Sequence, residues 1–321
     1  AQWTCTAGGR KLPMATGYGA ALAGETVLIP LGENSAPLLG VPDALELEEG
    51  DVRSFLPRRR SDDHKGRRGG VLLVAGSKRY RGAALLAARG ALRAGAGLVV
   101  LASVPEVLDV LAASLPEAIA EPLDTPGSLE AVMRKWRPRC ATLLIGSGLD
   151  RDDRARELCR IGAQWDGPSL WDGDGLYWLG KDDIKPARCC LTPHEGEAAA
   201  LLGERLPVRN RFEAAGDVAR QYGPVLLKGY RSLVAGPEQT PWIVSRGDRT
   251  LSVPGSGDVL AGACAALLAA GVPAEKALAL GAWCHGAAGE ALGRMKGQDG
   301  VLAHEVSDHL PAILKELNGA C

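Results

Sequence analysis

From Val71 onward, short apolar runs ending at glycine or a small residue alternate with alanine-rich segments of helical spacing: VLLVAGS, then GAALLAARGALRAGAG, then LVVLASV. Strands covered on both faces read as unbroken apolar runs, and parallel neighbours need a crossover that a helix supplies. The alternation therefore selects an α/β fold of βαβ units on a mostly parallel sheet with helices on both faces. Further strands are expected in ATLLIGSG, PSLWDGDGL, CCLTPH, PVLLKG, SLVAG and PWIVS. Helices are expected near 151–163, 195–203, 209–222, 257–270, 274–293 and 303–316.

The boundaries follow from where that pattern holds. Residues 66–321 read as one domain, within the size range of a single α/β unit. Residues 38–65, with PLLG, VPDALELEEGD and FLPRRRSDDHKG, read as a connection, in which Arg58 to Arg60 form a solvated basic run. Residues 1–37 hold the strand-like ETVLIPLG but too little apolar material for a core of their own.

Charge and cysteine usage exclude several classes. A formal charge of −1 on 321 residues gives no field that would gather nucleic acid or an anionic membrane surface, so neither partner is expected. No apolar run reaches the roughly 18 residues of a membrane span, and the first residues lack a charged and then apolar leader pattern. The expected address is the cytoplasm. Eight scattered cysteines show no CxxC pair, which suits reduced structural thiols better than a metal cluster.

In an open parallel sheet, ligands gather beyond the carboxyl ends of the strands. The segments there are polar and glycine-rich: GSKRYRGA, GSGLD, DGDG, TPHEGE and KGYRS. The same chemistry recurs in SVPGSGDVLAGACAALLAAG, where Gly255, Ser256 and Gly257 precede a helix expected from Asp258. Unpaired amides at such an entrance attract phosphate, and the helix dipole is expected to hold Asp258 ionised, ready to take a proton from an attacking hydroxyl. A simple capping role fits the same residue types. The chain lacks GxxxxGK[ST], and GSGLDRD misses the GxGxxG spacing, so neither a P-loop nor a dinucleotide fingerprint accounts for a phosphate site.

The ordered set HKGRRGGVLLVAGS, RGAALLAARGALRAGAGLV, LLIGSGLD, LTPHEGE, VLLKGYRS and GSGDVLAG resembles the ADP- or ATP-dependent NAD(P)H-hydrate dehydratases, a branch of the ribokinase-like superfamily. The resemblance covers about Asp63 to Leu314 and implies a ribokinase-like three-layer sandwich. It also implies repair of hydrated NADH and NADPH by phosphorylation of the hydrate hydroxyl and loss of phosphate. Asp258 would be the base, with Gly255 and Gly257 presenting amides to the moving phosphoryl group. Lys228, Gly229, Tyr230, Arg231 and Ser232 match the nucleotide loop, where Gly257 also contributes, and Ala83, Gly148 and His194 match hydrate-binding positions alongside Asp258. ADP or ATP with Mg²⁺ is the implied cofactor set, and a homo-oligomer the implied assembly. TCTAGGRKLPMATGYGAALAGETVLIPLG resembles the last strands of the NAD(P)H-hydrate epimerase domain of bifunctional members, without that domain's catalytic portion, so no epimerase activity is expected.

Duller readings stand beside these. Ala83 fits helix packing, Gly148 a turn, His194 a structural imidazole, and His285, inside GAWCHGAAGEAL, a core position. The loop GDRTLSVPGSGD departs from the family pattern NPGxATGGTGD: Asp248 replaces asparagine, Arg249 proline, and Pro254 a glycine. Asp150 replaces a usual glycine, and DGDGL stands in for DADAL. Two rival functions follow: a small-molecule alcohol kinase of the same superfamily, and a nucleotide-binding protein without turnover.

Overall fold

The computed structural model describes residues 1–32, 40–58, 62–205 and 210–319. The first half of the chain supplies β1 (Trp3–Ala7), α1 (Gly17–Ala23), β2 (Glu25–Ile29), β3 (Leu45–Glu46), α2 (Glu49–Ser54), β4 (Gly70–Val74), α3 (Arg81–Arg93) and β5 (Leu98–Ser103). There follow α4 (Pro105–Ser114), β6 (Ile119–Pro122), α5 (Ser128–Trp136), β7 (Thr142–Ile145), α6 (Asp153–Gly162), β8 (Ser169–Trp171) and α7 (Asp174–Asp182). The remainder forms β9 (Cys189–Leu191), α8 (Glu195–Leu202), α9 (Arg211–Tyr222), β10 (Val225–Leu227), β11 (Ser232–Ala235), β12 (Trp242–Val244), α10 (Ser256–Ala269), α11 (Ala274–Lys296) and α12 (Ala303–Leu317).

Successive strand residues face opposite sides of a sheet. In β4, Val71 and Leu73 enter one core while Leu72 and Val74 enter the other. The first core carries α3, α4, α10, α11 and α12, and the second α5 to α9, which makes three layers. Among the described residues the sheet has ten strands in the order β3, β12, β11, β10, β9, β8, β7, β4, β5, β6. Only β11 runs antiparallel to its neighbours. The expected mostly parallel α/β sheet is what forms.

Strand order runs outward from β4 and β7 in opposite directions, so the loops after these two strands part over a crevice. They still touch at its base, where the Gly76 amide donates to the Ser147 carbonyl at 2.8 Å. The site helix α10 is set against this crevice by small residues. A Cβ on Gly262 would stand 2.0 Å from the Ala87 carbonyl oxygen, and one on Gly90 would stand 2.3 Å from that of Val259. Helices α3 and α10 therefore meet backbone to backbone, and any larger residue at either glycine would lift the α10 entrance away from β7.

Elements without a clear periodic signal escaped the sequence reading. Strand β6 is short, contains Pro122 and lies at the sheet edge, where proline is tolerated. Helix α7 starts inside DGDGL because Gly173 turns the chain at φ +53°. Within 38–65, β3 pairs with β12, and Leu47 and Val52 are buried in the first core, so the stretch read as a connection contributes to the main body. Among the described residues strands β1 and β2 pair only with each other, and Trp3, Leu28 and Ile29 are exposed. Arg59, Arg60, Cys321 and the expected boundary between 37 and 38 lie outside the described residues.

Candidate active site

Helix α10 begins at Ser256, two residues before the expected start, because Gly255 is its N-cap. Gly255 adopts φ +85°, and a Cβ there would stand 2.2 Å from Leu86 Cδ1, so only glycine makes this turn. With no side chain on the cap, nothing folds back over the first turn. The Ser256 amide donates to the Val253 carbonyl at 3.3 Å and Val259 to Gly255 at 3.2 Å, whereas the Gly257 and Asp258 amides have no backbone acceptor among the described residues. Two free donors at a helix entrance form an anion seat.

Lys228 brings positive charge to that seat. Its Nζ lies 3.5 Å from the place where a Cβ on Gly257 would stand. Asp172 at 2.9 Å and Glu197 at 3.8 Å hold the ammonium. Burial pulls the lysine pKa down, but these carboxylates and Asp258 outweigh it and leave it above the ordinary value. Thr192 donates to the same Asp172 oxygen at 2.8 Å, which fixes the carboxylate from a second side.

Asp258 occupies the first turn of α10, next to the open amides. Burial, reinforced by the charge of Asp172, raises its pKa to about 7, while a hydrogen bond from Ser147 and the charge of Lys228 oppose the shift. This corrects the expectation that the helix terminus would keep the carboxyl firmly ionised: desolvation wins over the stabilising charge. A carboxyl with this pKa is a stronger base than a solvated aspartate and is still half ionised at neutral pH.

A cavity of about 760 Å³ opens over the helix entrance, lined by His194, Lys228, Gly229, Tyr230, Ser232 and Gly257 together with residues 246–249, 251–254, Ser256 and His285. Arg231 turns aside to Glu46 at 3.7 Å, with φ +54°. Gly255 and Asp258 border the lining residues in sequence without belonging to them. Ala83 and Gly148 lie outside the cavity and against each other: a Cβ on Gly148, at φ +63°, would stand 2.7 Å from that of Ala83. Their link to the site runs through Ser147, which precedes Gly148, donates to Asp172 at 3.4 Å and pulls the Asp258 pKa down. The structure thus gathers Lys228, Gly229, Tyr230, Ser232, His194 and the α10 entrance around one space, and leaves Arg231 and the Ala83–Gly148 pair outside its lining.

His194 caps a helix and also stands on the cavity wall. Its Nδ1 accepts from the Gly196 and Glu197 amides at 3.0 and 3.2 Å, capping α8, while Glu197 accepts from the His194 amide at 2.8 Å. The ring is exposed and also lines the cavity. His285 is buried, as a core reading requires, yet its Nε2 meets Ser256 Oγ at 3.1 Å on the cavity wall. Burial lowers its pKa to about 4, so the imidazole is neutral. Sequence reasoning missed this pair because nothing in an alanine-rich helix reports which turn faces a cavity. It also passed over Asp172, although its place directly after β8 was the available signal.

The altered loop explains itself locally. Asp248 caps a 3₁₀ turn over Arg249–Leu251 by accepting from the Thr250 amide at 2.9 Å, and accepts from Gln298 at 2.8 Å. Pro254 removes an amide just before Gly255, leaving those of Gly257 and Asp258 intact. Asp150 takes φ +73°, a glycine-favouring conformation that aspartate tolerates, and its amide donates to Asp174 at 2.8 Å.

Residues 71–312 match the family model described as NAD(P)H-hydrate dehydratase. The chain is 37% identical to a bifunctional NAD(P)H-hydrate repair enzyme of Thermanaerovibrio acidaminovorans, over 91% of this chain and 59% of that protein. It is 35% identical to one of Moorella thermoacetica, over 99% of this chain and 63% of the relative. The chain thus spans about three fifths of the length of these relatives. Among solved structures, the ADP/ATP-dependent NAD(P)H-hydrate dehydratase of Bacillus subtilis, co-crystallized with ATP/Mg²⁺, superposes with a TM-score of 0.73 at 28% identity, covering 85% of this chain and 98% of that one. A ribokinase-like superfamily protein of Enterococcus faecalis shares the fold, with a TM-score of 0.79 at 23% identity over 89% of this chain and 99% of that one.

Proposed function

Since this chain belongs to the NAD(P)H-hydrate dehydratase family, we propose that it uses ADP or ATP to return hydrated NADH and NADPH to the reduced dinucleotides. The observation that carries this reading is the Asp258 carboxyl, raised to about 7 beside Lys228 and the open amides of α10. Asp258 accepts the proton of the hydrate hydroxyl as its oxygen bonds to the terminal phosphorus of the nucleotide and the bond from that phosphorus to its bridging oxygen breaks, releasing AMP from ADP or ADP from ATP. Elimination then breaks the carbon–oxygen bond and releases phosphate as the neighbouring ring carbon loses a proton, which restores the ring double bond. The Gly257 and Asp258 amides and the Lys228 ammonium stabilise charge on the moving group, the term that dominates phosphoryl transfer.

The nucleotide occupies the 760 Å³ cavity against Lys228 to Ser232, and the hydrate approaches from the side of Ala83, Gly148 and His194. Mg²⁺ supplies charge neutralisation between phosphates when present. Among the described residues no three His, Cys, Asp or Glu side chains are placed to hold a metal, and Asp172 and Glu197 are engaged by Lys228. The donor set therefore fits an ion held mainly by phosphate and water oxygens, as Mg²⁺ commonly is.

Residues 1–37 are read as the tail of an epimerase-type domain, consistent with the greater length of the bifunctional relatives, with 38–65 joining it to the dehydratase domain of 66–321. The free thiols of Cys140, Cys159 and Cys264 suit a reducing cytoplasm, and the exposed Trp3, Leu28 and Ile29 offer apolar area to a homo-oligomer. The test is to incubate the protein with the hydrate and either nucleotide and follow the nicotinamide absorbance. Its return is expected. A stable phosphorylated product without that return would make the protein an alcohol kinase instead, and ADP binding with no turnover would leave a nucleotide-binding protein.

A further inference from the structure

The loop proposed to bind the nucleotide is held from outside by a segment that precedes the family-matched residues 71–312. The Gly17 amide donates to the Tyr230 carbonyl at 2.8 Å. Thr16 Oγ1 donates to the Tyr230 carbonyl at 3.3 Å and to that of Arg231. Thr16 is itself buried, at 6% exposure, so these bonds form away from competing water.

The loop needs such a hold because its shape is costly. Arg231 carries φ +54°, which a side chain with a Cβ disfavours. From inside, the Arg211 guanidinium donates to the Leu227 and Lys228 carbonyls at 3.4 Å, and a Cβ on Gly229 would stand 2.4 Å from that guanidinium. Ser232 Oγ closes the turn onto the Gly229 carbonyl at 3.0 Å. Successive carbonyls from Leu227 to Arg231 are thereby tied down, and among the described residues those of 230 and 231 are the pair bonded directly to the N-terminal segment. Arg10 and Arg231 also share Glu46, which fastens segment, β3 and loop together.

We propose that Thr16 and Gly17 act as a clamp that presets the 228–232 loop for an adenine nucleotide, making Thr16 a positioning residue for nucleotide binding. This rests on the reading of that loop given above. A loop already in its bound shape loses less conformational freedom on binding, so the clamp acts on affinity and leaves the phosphoryl-transfer groups alone.

The test uses the full chain with Thr16→Val, which keeps the shape and removes the hydroxyl, and Thr16→Ser, which restores the hydroxyl. Calorimetric titration with ADP and ATP is expected to show about 5- to 10-fold weaker binding for Thr16→Val, with recovery in Thr16→Ser. The nucleotide KM should rise by the same factor while kcat stays within about twofold, the hydrate KM is unchanged, and the melting temperature barely moves. Equal nucleotide affinity in wild type and Thr16→Val would overturn the clamp, as would a loss that tracks a fall in melting temperature and spreads over both substrates. If the wild-type chain bound neither nucleotide, the proposed function and the clamp would both fall; if it turned over hydrate while Thr16→Val bound nucleotide normally, only the clamp would.

Discussion

Helices α8 and α10 both begin at the same cavity, and they treat their first amides in opposite ways. At α8 the His194 ring folds back and accepts from two amides, so that entrance is closed by the protein's own side chain. At α10 the cap is Gly255, which has no side chain to fold back, and the amides of Gly257 and Asp258 stay open. The electrostatic field of a helix terminus is common to both. What separates a structural terminus from a binding one is the acceptor already in place, and the identity of the cap residue decides that.

The strongest way to break the contrast is to disable the chemistry at the open entrance. Asp258→Asn keeps the volume and removes the base, and general-base loss typically costs about 100- to 10,000-fold in kcat. Calorimetry should show ADP still bound. A variant with more than a tenth of wild-type turnover would remove Asp258 from its assigned role. The wild-type rate should carry an acid limb: with the pKa raised to about 7, the active carboxylate fraction falls tenfold per pH unit below that value and levels off above it. Stability follows the opposite sign. The folded state holds this proton more tightly than the unfolded chain, so stability falls as pH rises from the ordinary aspartate value of 3.8 through about 7. Asp258→Asn should therefore melt roughly 2–6 °C above wild type at pH 8, with the gap closing towards pH 5.

Next in size are the two glycines, which the contrast separates. Gly255→Ala meets both φ +85° and Leu86 at 2.2 Å, so the fold itself should suffer, by about 1–3 kcal/mol in denaturant titration. Gly257→Ala meets only Lys228 Nζ at 3.5 Å and has an ordinary backbone angle, so its stability should hardly change. Its methyl group would stand on the path of the proposed phosphate to the amides, and kcat should fall about 10- to 100-fold. Equal kinetic and thermal effects in the two variants would mean that the entrance is packing alone.

These differences also mark what the sequence could convey. The parallel strands were legible because residues 71–74 and 98–102 are apolar throughout, and the α10 entrance because a Gly-Ser-Gly-Asp turn before an apolar helix has few physical readings. The pKa of Asp258 was not legible, because it depends on burial and on Asp172, which stands 86 residues earlier in the chain. Nor was the turn of Arg231 away from the cavity, which depends on Glu46 across the sheet edge. Local chemistry reads out of local sequence, while the direction of a side chain and its dielectric surroundings are set by residues far along the chain.

The smallest effect tests the closed entrance. His194→Ala removes the acceptor for the Gly196 and Glu197 amides, and losing an N-cap side chain costs about 1 kcal/mol. It also removes a ring from the cavity wall, so the hydrate KM should rise several-fold. His194→Asn distinguishes the two duties, because an asparagine oxygen is a good cap acceptor while asparagine lacks the ring and its second nitrogen, which lies 3.6 Å from Glu197. The expected outcome is wild-type stability with the raised KM retained. Recovery of both in His194→Asn would make the imidazole a cap and nothing more, and α8 would then contribute to the site only by standing beside it.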